Sequence, residues 1–136
     1  MGSVISYKQY LANQPQYRLI VYCNQSKDDV AISINHLLAQ ELMKLGTRMR
    51  SMQMERCLVR VLQSLPENPI VSGIDVMFNP NYAIDVMKVL TSAYKQHPFS
   101  LIWPGTCDGS VLAYAEDGFR DFKEYEISDY DIVCVQ

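Results

Sequence analysis

Three short runs in this sequence are apolar at nearly every position, residues 17–23 (YRLIVYC), 99–103 (FSLIW) and 130–135 (YDIVCV), and a fourth segment, 69–78 (PIVSGIDVMF), opens in the same way. A strand with one wet face alternates polar and apolar residues, whereas a strand covered on both faces does not. These runs therefore predict buried strands, and buried strands need helices over them. Helical periodicity supplies the cover. Leu37, Leu38, Leu42 and Leu45 recur behind Asn35, a natural cap, and Gly46 closes that helix. Met54, Leu58, Val61, Leu62 and Leu65 mark a helix over 50–65. A third helix over 81–96 rests on Ala83, Val86, Met87, Leu90 and Ala93, with Asn79-Pro80 as its start and Pro98 as its stop.

Strands alternating with helices of roughly 10–16 residues predict an α/β fold, a sheet of about five or six strands with flanking helices. Residues 30–34 (VAISI) read as a further short strand. The polar turn 24–29 before it is short enough to suggest that the first two strands pair antiparallel, as a hairpin. Val111 to Ala115 reads as another strand, with Asp108-Gly109 as turn material. A helix over 3–13, capped by Ser3 and ended by Pro15, makes residues 1–16 an N-terminal helical extension. With 136 residues, the whole reads as a single α/β domain.

Charge and cysteines narrow the function classes. A net charge of −3 argues against a domain whose entire surface tracks a phosphate backbone. The cations Lys44, Arg48, Arg50, Arg56 and Arg60 nevertheless crowd one stretch, while the C-terminal third is acidic. That asymmetry reads either as a solvated helix face or as a DNA-contacting stretch over 44–60. Cys23, Cys57, Cys107 and Cys134 are widely spaced, which suits free thiols in a reducing cytosol rather than a zinc site. The first residues lack the basic and apolar regions of a secretory signal, and no run approaches a membrane span. The expected location is cytoplasmic.

Ligands of open α/β sheets bind at the carboxyl ends of the strands. The loop after the first buried run, NQSKDDV, lacks the glycines a phosphate cradle requires, and Asp28 and Asp29 would repel a polyphosphate. The strand IVSGIDVMF ends in Ser72-Gly73, with Asp75 three residues on; one carboxylate does not both hold a metal and activate water. His36 and His97 have no nucleophile at short range. Glu116, Asp117, Asp121, Glu124 and Glu126 match no calcium loop. No catalytic, cofactor-binding or metal-binding residue is assigned, and no cofactor is expected. Met49, Met52 and Met54 fall where the 50–65 stripe is least regular, and methionine suits adaptable binding surfaces. Arg48, Met49, Met52, Arg56 and Arg60 are the candidate partner-binding residues.

The order of segments over roughly 17–135 resembles the small P-loop protein of BREX phage-exclusion systems, the BrxF family. The resemblance is carried by Phe78-Asn79-Pro80, Trp103-Pro104-Gly105 and Leu112-Ala113-Tyr114-Ala115-Glu116. It implies a degenerate P-loop NTPase-like fold. The nucleotide loop and its helix are missing after Cys23, and the family's metal-binding Asp falls at Ser72 with the next acidic position at Asp75. The implied setting is a cytoplasmic defence complex with a methyltransferase and a large ATPase. The leading expectation is a non-enzymatic adaptor in such a complex. The alternatives are a divergent metal-dependent nuclease or hydrolase using Asp75 with Asp28 or Asp29, and a DNA-contacting module. A homodimer is compatible with each.

Overall fold

The computed structural model describes residues 2–13, 18–23, 30–115 and 118–136. Its frame is a six-stranded, wholly parallel sheet in the order β1-β9-β2-β5-β4-β3, formed by Ser3–Ile5 (β1), Leu19–Tyr22 (β2), Ile32–Ser33 (β3), Ile70–Ser72 (β4), Ser100–Ile102 (β5) and Ile132–Val135 (β9). A separate antiparallel sheet joins Thr106–Asp108 (β6), Val111–Tyr114 (β7) and Lys123–Glu126 (β8). The α/β architecture expected from the apolar runs is therefore present.

The central strands are buried at every position, β2 and β9 alike. Leu19, Val21, Ile132 and Cys134 face one side, under helices α2 (Asn35–Met43), α4 (Met54–Gln63) and α5 (Val86–Gln96). Ile20, Tyr22, Val133 and Val135 face the other side, where Tyr10 of α1 (Tyr7–Ala12) packs on them. In α4, Leu58 and Leu62 are wholly buried. Each such leucine contributes roughly 1.5–3 kcal/mol, which fixes the helix on the sheet.

Several local expectations fail for identifiable reasons. The first two strands do not form an antiparallel hairpin: β2 pairs in parallel with β9 and β5, and β3 pairs in parallel with β4 at the far edge. Residues 3–5 form an edge strand on β9, and the first helix starts behind Ser6, whose side chain accepts from Gln9 N–H in a capping box with the Gln9 side chain. Pro15 lies outside the described residues.

Asn35 does not cap α2, because its Oδ1 accepts from Val76 N–H across to the 3-10 turn Asp75–Phe78. Gly46 is extended rather than left-handed and precedes a separate helix, α3 (Thr47–Met52). The stretch read as one helix over 50–65 is thus broken at Gln53. The third helix begins at Val86 instead of 81. Asn79 folds into its own turn by accepting from Asn81 N–H, and Asp85 is the cap, accepting from Lys88 N–H. Ala83 is accordingly exposed. No helix among the described residues is long and apolar enough to cross a membrane.

Candidate functional site

The carboxyl ends of β9, β2 and β5 are the crevice where an open parallel sheet would receive a ligand. The chain's own antiparallel sheet lies over them. Trp103, just past β5, donates from its indole Nε1 to Ala113 O on β7 at 3.0 Å. A Cβ on Gly105 would sit 1.9 Å from the same carbonyl, so this approach requires glycine. Phe78 stacks on Tyr114 with ring centres 3.8 Å apart, and Trp103 meets Phe78 and Tyr125 edge-on. The motifs Phe78-Asn79-Pro80, Trp103-Pro104-Gly105 and Leu112-Ala113-Tyr114 thus meet in one aromatic joint between the sheets.

Three of the four cysteines converge beneath that joint. Cys23 ends β2, Cys134 lies on β9 and Cys107 on β6, all as free thiols. A hydrogen bond with Cys134, then burial, pushes the Cys23 thiol up. Burial pushes Cys107 up to about 11, against a hydrogen bond from Gln136 Nε2 at 3.1 Å. A thiol held protonated is a poor nucleophile, so Cys23 and Cys107 pack rather than react. Sequence spacing gave no hint of the cluster, because residues 23, 107 and 134 meet only through long-range pairing.

Beside the covered crevice, over β4 and β3, an open cleft of about 600 Å³ remains. Asp75, His36 and Asp121 line it, together with Asn35 and Asn79. Burial and the neighbouring Asp75 raise the Tyr114 hydroxyl. Asp75 and His36 are exposed, and the His36 Nε2 sits 3.1 Å from the Gln40 side-chain amide. Asp28 and Asp29, the expected partners of Asp75, lie outside the described residues, as do Ser26, Lys27, Glu116 and Asp117. No three acidic, histidine or cysteine side chains among the described residues are placed to hold a metal ion. His97 is the half-buried C-cap of α5, and Glu124 and Glu126 are exposed on β8. Ser72 ends β4, where its carbonyl accepts from Ile34 N–H.

The candidate partner-binding residues stand on the helical face. Met52 is 74% exposed and Met49 38%, on α3, with Arg48 beside them. Arg56 and Arg60 are exposed one turn apart on α4. The break at Gln53 separates the two groups. Met54 is a core residue, as its place in the apolar stripe of the 50–65 helix predicts. Arg50 is also structural, its Nε donating to Leu42 O at 2.9 Å and Leu45 O at 3.1 Å to close the end of α2.

Between α2 and α4 runs a groove of about 540 Å³, lined by Leu37, Met43, Lys44, Arg60 and Val61 among others. Met43, 74% exposed, was not singled out from the sequence. Its position directly after the buried Leu42, off the leucine stripe, was the available signal. No family model, curated protein or solved structure matches this chain.

Proposed function

We propose that this chain is a non-catalytic adaptor or regulatory subunit of a cytoplasmic anti-phage defence complex. It acts by protein–protein contact with a larger component such as a methyltransferase or a large ATPase. One observation carries the non-catalytic part: the carboxyl ends of β9, β2 and β5 are filled by the chain's own Trp103, Cys107 and Gln136 rather than by ligand-binding groups. Exposed Met43, Met49 and Met52, next to exposed arginines, supply the surface a partner would use. The defence setting rests on the resemblance of the Phe78, Trp103 and Leu112 motifs to the BrxF family.

The test pairs two measurements on the full chain. The tagged protein, purified from its native host, is expected to bring a methyltransferase or large ATPase in fixed ratio. The isolated protein is expected to hydrolyse no ATP with Mg²⁺ present. Hydrolysis by the isolated chain, lost in Asp75→Asn, would overturn the reading. The exposure of Asp75 on an open cleft favours a metal-dependent nuclease or hydrolase as the second reading, its expected partners Asp28 and Asp29 lying outside the described residues. That reading expects Mg²⁺ or Mn²⁺ to raise the melting temperature and Asp75→Asn to abolish the rise.

A further inference from the structure

The molecule is electrically divided along its length. Residues 35–65 carry five cations and two carboxylates, whereas residues 66–136 carry four cations and eleven carboxylates. The excess positive charge therefore sits on α2, α3 and α4. Part of it is used internally: Lys44 pairs with Glu41, and Arg50 closes the end of α2. Hydrogen bonding to Lys44 accordingly lowers the Glu41 carboxyl. Arg48 and Arg60 stand exposed. Arg56 reaches Gln53, at 3.5 Å.

The same face is unusually apolar for a charged surface. Met43 and Met52 leave most of their side chains in water, and Leu37 with Val61 forms the floor of the α2–α4 groove. Thioethers between arginines gain nothing from a phosphate backbone. An apolar trough between two helices, rimmed by cations, is complementary to a helix with an apolar stripe and carboxylates beside it. Among the described residues, a second copy of this chain does not supply one. Helices α1, α3 and α5 contain no carboxylate, and α2 and α4 contain one each, Glu41 and Glu55.

We propose that the groove between α2 and α4 receives an acidic amphipathic helix of a partner protein. The helix sets its apolar stripe on Leu37, Met43 and Val61, and its carboxylates against Arg60, beside the Lys44–Glu41 pair. Arg48 and Arg56, on the adjoining turns, extend the cationic rim and steer the approach. The proposal rests on the adaptor reading and names the partner's chemistry.

Methionine methyl groups labelled with ¹³C report on the site directly in the full chain. Met43 lines the groove, while Met77 and Met87 are wholly buried and act as internal references. The probe is a designed peptide of roughly 18 residues, about five helical turns, with leucine at i, i+3, i+4 and i+7 and glutamate elsewhere. The Met43 methyl is expected to shift saturably while Met77 and Met87 stay in place. The double variant Arg56→Glu/Arg60→Glu, with unmoved Met77 and Met87 signals, is expected to weaken binding at least about tenfold. A peptide with lysine in place of glutamate is expected to give no saturable shift.

The proposal is overturned if Met43 does not respond to the acidic peptide, if the lysine peptide binds equally well, or if duplex DNA gives the tighter response. Failure here, with a partner still co-purifying from the host, leaves the adaptor reading standing and moves its contact elsewhere. Nucleotide turnover by the isolated chain removes the adaptor reading itself.

Discussion

Truncating Phe78 to alanine tests whether the antiparallel sheet is an integral cap on the parallel one. Phe78 is 2% exposed, stacks face to face on Tyr114 and meets Trp103 edge-on. Removing a buried phenylalanine ring costs about 3–5 kcal/mol, cavity included. Two aromatic contacts, at about 0.5–1.5 kcal/mol each, make up part of that figure. Set against a typical total of about 5–15 kcal/mol, the loss leaves a marginal protein. For a chain of this length the melting temperature should fall by roughly 10–20 °C.

The assay is urea unfolding followed by far-ultraviolet circular dichroism and, separately, by Trp103 fluorescence. Both probes are expected to report one transition with a lowered midpoint. The conservative Phe78→Leu keeps most of the burial but loses the ring contacts, and should cost about 1–3 kcal/mol. A loss below about 1 kcal/mol for Phe78→Ala would refute the reasoning. So would a fluorescence transition that moves while the dichroism transition does not, because the cap would then be a separable appendage.

Three further predictions bear on the same frame. Arg50→Ala leaves the Leu42 and Leu45 carbonyls without their charged donor and should cost about 1.5–3 kcal/mol in urea unfolding, a larger loss than Arg48→Ala. Gly105→Ala drives a methyl group into the Ala113 carbonyl and should cost at least about 1–3 kcal/mol, with a change in the near-ultraviolet signal of Trp103; an unchanged signal would count against the tight approach. Stability should also fall in alkali. Burial raises Cys107 to about 11 and Tyr125 to about 12, so both are held neutral in the fold. A raised folded pKa contributes stability that is complete below the unfolded value and is lost as pH rises towards the folded one. The urea midpoint should therefore hold to about pH 9 and then decline as pH climbs towards 11 and 12. An equal midpoint at both ends of that range would contradict it.

Much of the frame was legible because burial on both faces leaves a mark in the chain itself. Residues 19–22 and 132–135 announce themselves as strands by unbroken apolar character, and 70–72 and 100–102 by apolar runs interrupted only at Ser72 and Ser100. Which strand neighbours which was not legible. Parallel pairing joins segments far apart in sequence, so β2 lies between β9 and β5 although the short turn 24–29 pointed to its sequence neighbour. The polar strand β8, with only Tyr125 buried, carried too weak a pattern, and β1 was too short to distinguish from a helix start.

Capping side chains misled where another bond claimed them, long-range at Asn35 and a local turn at Asn79. Asn35 is taken by Val76 N–H and Asn79 by Asn81 N–H. At the candidate site, the exposure of Met49, Met52, Arg48, Arg56 and Arg60 followed from breaks in the apolar stripe. Burial of Met54 followed from its place in the apolar stripe, whereas the capping role of Arg50 depends on the chain turning back on α2, which periodicity does not reveal.

The most direct test of the account sets the two candidate surfaces against each other in one experiment. Tagged wild-type protein, Met52→Glu/Arg60→Glu and Asp75→Asn are each purified from the native host, and the co-purifying proteins are quantified by mass spectrometry. The account predicts a partner in fixed ratio with the wild type and with Asp75→Asn, and its loss with the helical-face variant. Retention by Met52→Glu/Arg60→Glu, with loss by Asp75→Asn, would place the functional surface at the carboxyl edge of the sheet and contradict the account.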